Sequence, residues 1–197
     1  MSLFQHVILK KQLQTLDHAL ISQAYQKFTA YFHQPTIQTN IRAAKEEQFQ
    51  EGFLRELFVN VLGYTINPEA HYNLTTEYKN QKGAKKADGA VLDNHKQVKA
   101  VIELKGTKVT DLDNIEIQAF GYKNNQSHCR YVITSNFEKL RFYIDNAIDF
   151  MEWNLFTLTE KDFNILYLLL HKNSLLSDLP ATLKASSLVE EENITKK

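Results

Sequence analysis

Three charged residues lie in or beside two apolar segments of this 197-residue chain. Asp88 belongs to "KADGAVL", and Glu103 and Lys105 belong to "QVKAVIELK". Both segments have the small and β-branched residues that are typical of strands. Side chains alternate along a strand, so Glu103 and Lys105 share one face while Ile102 and Leu104 share the other. An ion pair on a solvated sheet face is the ordinary explanation for an isolated Glu-x-Lys.

Asp88 favours a more specific interpretation. The sequence "LDNHKQ" predicts a hairpin turn that makes the two strands antiparallel neighbours, so Asp88 can approach Glu103 on one face. Two nearby carboxylates repel each other unless a positive charge lies between them. Mg²⁺ is usually held by one or two carboxylates together with substrate phosphate. The hairpin therefore predicts an Mg²⁺ site, with Mn²⁺ as a possible substitute because it prefers similar oxygen ligands.

A helix predicted over residues 39–62 offers another carboxylate. Its apolar positions recur at spacings of three and four residues, and Glu47 precedes Leu54 by seven positions and Phe58 by eleven. Glu47 is therefore expected to lie on the helix face that carries these apolar residues, whereas Glu46 is not. A carboxylate there needs a metal or an ion-pair partner. Alternatively, Glu47 is a first-turn residue that interacts with the helix dipole.

Gln118 and Tyr122 form a third polar group. They are separated by four positions in a helix predicted over residues 111–124, so they share one helix face. The pair either faces the same cleft as the carboxylates or combines a core tyrosine with a neighbouring surface glutamine.

The remaining pattern predicts a mixed α/β fold. Helices are expected over residues 4–33, ending before Pro35, and from Thr159, which is a candidate N-cap for "EKDFNILYLLLHK". Short segments rich in β-branched and aromatic residues predict five strands. These strands are expected at 71–79, 86–92, 97–105, 130–135 and 139–144.

Composition and charge exclude several classes of protein. The single Cys129 excludes an internal disulfide and a multi-cysteine zinc site. The absence of an 18-residue apolar run and of a signal-peptide segment predicts a soluble cytoplasmic protein without membrane contact. The formal net charge is zero, but residues 79–108 contain eight lysines against three acidic residues. This cluster is either a solvated face or a phosphate-binding surface.

The ordered set Glu47, Asp88, Glu103-x-Lys105 and Gln118-x-x-x-Tyr122 resembles the PD-(D/E)XK nuclease superfamily. The similarity is greatest to the branch with RecB-type nucleases and the N-terminal nuclease domains of type I and type IIG restriction enzymes. "EQFQEGFLRELFVNVLGY", "YVITSNFEKLRFY" and "IDFMEWNLFTLTEKDFNILYLLL" add to the resemblance, which covers roughly residues 43–172. One departure is Ala87, where the family usually has proline.

The resemblance implies a restriction-endonuclease-like mixed sheet flanked by helices. It divides the chain into an N-terminal helical extension (1–38), a nuclease domain (39–175) and a helical connector (176–197). The connector leads to a domain outside this chain. In type IIG enzymes such a connector precedes an adenine-specific methyltransferase, so covalently linked methyltransferase and specificity domains are expected partners.

The resemblance also implies an activity and residue roles. The expected activity is Mg²⁺-dependent hydrolysis of double-stranded DNA by a restriction-modification enzyme. Asp88, Glu103 and Lys105 would be catalytic, and Asp88, Glu103 and Glu47 would bind the metal. Gln118 and Tyr122 would position the substrate. Candidates for contact with the DNA backbone are Lys82, Lys85, Lys86 and Lys108.

Two other functions remain open from the sequence. One is a repair or recombination nuclease of the same superfamily. The other is a catalytically inert DNA-binding or scaffolding module that keeps the fold.

Overall fold

The computed structural model describes residues 3–79 and 86–195, with side chains as far as residue 192. These residues form a six-stranded sheet whose strands are β1 (Leu74–Lys79), β2 (Lys86–Leu92), β3 (Val98–Leu104), β4 (Tyr131–Ser135), β5 (Lys139–Ile144) and β6 (Phe150–Asn154). The strands are adjacent in chain order. β3 and β4 pair in parallel, and all other neighbours are antiparallel. The predicted α/β class and the antiparallel β2–β3 hairpin are both confirmed.

Helices flank the sheet. They are α1 (His6–Leu13), α2 (His18–Phe32), α3 (Pro35–Ala43), α4 (Glu46–Phe53), α5 (Asp113–Lys123), α6 (Glu160–Leu170), α7 (Lys172–Leu176) and α8 (Leu179–Thr195). The chain continues from α4 directly into a π-helical stretch, Leu54–Val61. α5 connects β3 to β4, because two parallel strands need a crossover connection. The predicted N-cap at Thr159 is confirmed, since its hydroxyl accepts a hydrogen bond from the Asp162 amide at 3.2 Å.

Several predicted helix boundaries are wrong. The single helix expected over 4–33 is two helices, because the Asp17 carboxylate accepts hydrogen bonds from the amides of Ala19 and Leu20 and starts α2 there. The helix expected over 39–62 is likewise interrupted. Pro35 begins α3, in the first-turn position that proline favours, and α4 starts separately at Glu46.

β6 was not predicted from the sequence. Of its five residues only Trp153 is buried, so the segment lacks the alternating pattern of a half-buried strand. In the described sheet it is an edge strand, paired with β5.

Each face of the sheet supports its own hydrophobic cluster. Ala100, Ile102 and Leu104 point into the larger cluster, which includes side chains of α2, α4, α6 and the π-helical stretch. Val101 points into a smaller cluster beneath α5. Glu103 follows Val101 by two positions, so it lies on the α5 face, as the alternation predicted.

The N-terminal helices belong to the larger cluster. Phe28 and Phe32 of α2 are fully buried there, and the Phe28 ring lies 5.1 Å from the Phe163 ring of α6. The boundary expected after residue 38 falls within α3. Residues 3–38 therefore contribute directly to the core that supports the sheet. No helix in the described part of the chain is long and apolar enough to cross a membrane.

Candidate active site

Asp88 and Glu103 meet where the pairing of β2 with β3 ends. The last regular pair of the ladder joins Gly89 to Ile102, the residues next to Asp88 and Glu103. Asp88 Oδ2 accepts a hydrogen bond from the Leu104 backbone amide at 2.7 Å, and Oδ1 accepts one from Gln50 Nε2 at 3.1 Å. The Asp88 side chain thus replaces the backbone as the partner of β3 and is held beside Glu103, the residue that precedes Leu104.

The Lys105 ammonium group lies among carboxylates. It donates to Glu103 Oε1 at 3.0 Å, to the Leu104 carbonyl at 2.9 Å and to Glu46 Oε1 at 3.4 Å. An ammonium group has three donors, so all of them are used within the site. Asp88, Glu103 and Lys105, which the sequence had selected, are therefore brought together.

Glu46, rather than Glu47, is the carboxylate that α4 contributes. Besides its contact with Lys105, Glu46 accepts a hydrogen bond from the Gly106 amide at 3.2 Å and one from Gln50 Nε2 at 3.3 Å. Glu47 is exposed on the helix surface. The expectation that Glu47 points toward the site and Glu46 away from it is wrong.

The error has a physical cause in the helix geometry. A constant α-helical rotation of 100° per residue as far as Phe58 would orient Glu47 along the apolar stripe, but residues Leu54–Val61 are π-helical. A π-helix has more residues per turn than an α-helix, so its apolar positions do not define the phase of the preceding α-helical residues. A better signal was the i, i+4 row of Glu46, Gln50 and Leu54, which presents two polar side chains followed by a buried one. Gln50 was missed altogether.

Gln118 and Tyr122 share a face of α5, as predicted. Gln118 Nε2 donates to the Tyr122 hydroxyl at 3.0 Å, and the Tyr122 side chain is buried against the sheet while Gln118 is exposed. Burial raises the pKa of Tyr122, and the negative charges of Glu103 and Asp88 raise it further. Tyr122 thus packs on the sheet face to which Glu103 also points.

The lysine candidates separate into three groups. Lys82 and Lys85 lie outside the described residues. Lys86 forms an ion pair of 2.9 Å with Glu77, so its charge is partly compensated. Lys108 is exposed in the segment that follows β3, three residues after Lys105.

Comparison with known proteins identifies the family. Residues 33–191 match the family model described as MmeI, N-terminal domain. The chain belongs to the MmeI N-terminal domain family. No curated protein and no solved structure matches it. The family match supports the predicted relation to the N-terminal domains of type IIG restriction enzymes, and thus to restriction-modification systems.

Asp88 and Glu103 of this MmeI N-terminal domain have raised pKa values. Burial raises the pKa of Glu103 to about 7, and the neighbouring charge of Asp88 contributes in the same direction. Burial also raises the pKa of Asp88, although the hydrogen bond from Leu104 opposes that change. Burial alone would lower the pKa of Lys105, but Glu103, Asp88 and Glu46 together raise it. The described site thus combines the carboxyl groups of Asp88, Glu103 and Glu46 with the ammonium group of Lys105.

Two observations bear on metal binding by this MmeI N-terminal domain. Within residues 3–79 and 86–195, no group of three or more His, Cys, Asp or Glu side chains is arranged to hold a metal ion. Asp88 and Glu103 instead form a pair of carboxylates. Glu103 is 1% exposed, and its Oε2 atom is buried without a hydrogen-bond partner in the described structure. A buried acceptor without a partner is destabilising, and a cation would satisfy it.

Proposed function

We propose that this chain is the metal-dependent DNA endonuclease domain of a restriction-modification enzyme, with the PD-(D/E)XK arrangement of catalytic residues. The observation that supports this proposal most directly is the position of Asp88 and Glu103 on adjacent strands, with the Lys105 ammonium group 3.0 Å from Glu103. Membership of the MmeI N-terminal domain family supports the restriction-modification context.

Asp88 and Glu103 fit a divalent cation. Both side chains provide hard oxygen ligands. Glu103 has a buried oxygen without a hydrogen-bond partner in the described structure, and burial raises the pKa of both carboxyl groups. Two carboxylates plus substrate phosphate is a common ligand set for Mg²⁺, and Mn²⁺ accepts the same donors. When bound, such an ion lowers the pKa of a coordinated water and neutralises charge on the phosphate.

The other residues have roles that follow from their contacts. Lys105 supplies a fixed positive charge beside Glu103, where it can orient the attacking water and stabilise the negative charge that develops on the scissile phosphate. Glu46 and Gln50 hold Lys105 and Asp88 in position from α4. Tyr122 packs on the sheet face to which Glu103 points, with Gln118 hydrogen-bonded to its hydroxyl, and the pair is suited to contact the DNA backbone.

Double-stranded DNA is the proposed substrate. Lys108 and Lys86 lie on the segments that carry the site, and lysine contacts to phosphate contribute sequence-independent, salt-sensitive affinity. Lys82 and Lys85 are proposed as further phosphate contacts, because they lie within four residues of Lys86 in the sequence. Sequence recognition and adenine methylation are assigned to covalently linked domains outside this chain.

The test is cleavage of supercoiled plasmid DNA by the protein with Mg²⁺ or Mn²⁺. Asp88→Ala and Lys105→Ala are expected to reduce the rate by a factor on the order of 10²–10³, as removal of a charge-stabilising group does. Thermal unfolding of each variant checks that the fold is intact. Equal cleavage by both folded variants and the unchanged protein would sink the assignment.

An inert DNA-binding module is the second candidate, and one observation favours it. All three donors of Lys105 are satisfied within the protein. DNA binding without cleavage, at every divalent metal tested, would support that function instead.

A further inference from the structure

Thr134 lies beside Glu103 in the sheet. β3 and β4 are parallel, and their register pairs Glu103 with Thr134. Directly paired residues of neighbouring strands direct their side chains to the same face. The Thr134 hydroxyl therefore lies on the α5 face, next to the Glu103 carboxylate.

Both side chains have a buried oxygen without a partner. Thr134 is 0% exposed and Glu103 is 1% exposed. Neither Thr134 Oγ1 nor Glu103 Oε2 has a hydrogen-bond partner among the described residues. One atom belongs to a hydroxyl donor and the other to an acceptor. Buried polar groups are rarely left unsatisfied, and when they are, a bound water or ion is the usual reason.

The neighbour of Thr134 on the other side of β4 does not form a hydrogen bond with the Thr134 hydroxyl. Arg141 of β5 pairs with Thr134 on its other side. Its guanidinium group donates hydrogen bonds to Glu152, at 2.6 Å, and to Asp113, and it lies over the Phe150 ring. Within the sheet, Glu103 is therefore the neighbour to which the Thr134 hydroxyl is available.

We propose that Thr134 is a positioning residue for the metal site. Its hydroxyl donates to one buried water, and this water donates to one lone pair of Glu103 Oε2, which leaves the other lone pair for the ion and fixes the orientation of the carboxylate. A water in this place has the donor and the acceptor that a buried water requires. The inference rests on the proposed function, because it assigns to Thr134 a role in the same site.

The expected effect of losing the hydroxyl is a weaker metal site. Outer groups that orient metal ligands typically contribute 10-fold to 100-fold in metal affinity. Thr134→Val nearly keeps the shape of the side chain and replaces the hydroxyl with a methyl group. We expect it to weaken Mn²⁺ binding about tenfold.

The probe is Mn²⁺ alone, titrated into the protein without DNA and followed by calorimetry. Thr134→Val should bind Mn²⁺ more weakly, and a melting temperature close to that of the unchanged protein in metal-free buffer would show that its fold is intact. Thr134→Ser keeps the hydroxyl and loses a methyl group, so its Mn²⁺ affinity should match that of the unchanged protein.

Thr75→Val is the matched control. Thr75 is a buried threonine of β1, and its hydroxyl donates to the Thr76 carbonyl rather than to the site. It should leave Mn²⁺ affinity unchanged. Unaltered Mn²⁺ affinity in Thr134→Val would overturn the inference. Equal weakening in Thr134→Val and Thr134→Ser would also overturn it, because packing and not the hydroxyl would then be responsible.

Failure of this inference differs from failure of the proposed function. If the unchanged protein binds Mn²⁺ and Asp88→Ala does not, the metal site stands and Thr134→Val alone decides the role of Thr134. If the unchanged protein neither binds Mn²⁺ nor cleaves DNA, the proposed function fails, and the inference about Thr134 fails with it.

Discussion

The Asp88 carboxylate accepts a 2.7 Å hydrogen bond from the backbone amide of Leu104, the residue between Glu103 and Lys105. A backbone amide is a fixed donor, so this contact ties the position of Asp88 to the strand that carries the other two charged residues. The arrangement depends on the end of the β2–β3 ladder, where a side chain takes the place of a backbone acceptor.

Asp88→Asn should remove metal binding while preserving the fold. The amide oxygen of asparagine can still accept the Leu104 hydrogen bond, but the negative charge is lost. Thermal unfolding with and without Mn²⁺ is the measurement. A ligand at about 100 times its dissociation constant stabilises a protein by about 2.7 kcal/mol, so the unchanged protein should melt at a higher temperature with Mn²⁺. An equal increase in Asp88→Asn would contradict Asp88 as a ligand.

Glu46→Gln and Glu47→Gln form a matched pair on one helix turn. Glu46 contacts Lys105 and the Gly106 amide, whereas Glu47 is exposed. Glu46→Gln should slow plasmid cleavage about tenfold or more, since hydrogen bonds to charged groups contribute roughly 1.5–3 kcal/mol. Glu47→Gln should cleave at the unchanged rate. The reverse order of effects would restore the role that the sequence assigned to Glu47.

Glu103 should make the metal-free protein less stable as the pH rises. Burial raises its pKa from the ordinary 4.5 to about 7. The folded state therefore favours the protonated form, and this stabilisation is fully present below the unfolded pKa and lost as the pH passes through the folded pKa. In buffer with a chelator, the melting temperature of the unchanged protein relative to Glu103→Gln should fall between about pH 4.5 and about pH 7. A pH-independent difference would refute the shift.

Lys105→Met should separate catalysis from metal binding. Methionine keeps most of the length of the side chain but removes the charge near Glu103 and Glu46. Cleavage should fall by a factor on the order of 10²–10³. The Mn²⁺-induced increase in melting temperature should persist, because the carboxylates remain and a competing cation is gone. Cleavage within twofold of the unchanged rate would exclude Lys105 as a catalytic residue.

Phe28→Ala tests whether residues before position 39 are required for the fold. The Phe28 side chain is fully buried, and its ring lies 5.0 Å from that of Phe32 and 5.1 Å from that of Phe163. Its truncation should cost about 3–5 kcal/mol of unfolding free energy in denaturant titration. Leu20→Ala on the same helix is the control, since Leu20 is 55% exposed. Equal stability of the two variants would favour a separable N-terminal extension.

The sequence by itself determined the local features of the site. Strand alternation placed Glu103 and Lys105 opposite Ile102 and Leu104, and the turn "LDNHKQ" paired their strand with that of Asp88. The i, i+4 spacing put Gln118 and Tyr122 in contact. These features could be predicted because each depends on the geometry of one element or one tight turn.

The tertiary structure decided what depends on distant residues. The change from α-helix to π-helix at Leu54 set the rotation of α4, so Glu46 and Gln50 reached the strands instead of Glu47. The parallel pairing of β3 with β4 brought Thr134 beside Glu103 across a crossover helix. Helix phase across such a change and strand register across a long connection are set by packing of the whole core, and no short window of sequence contains that information.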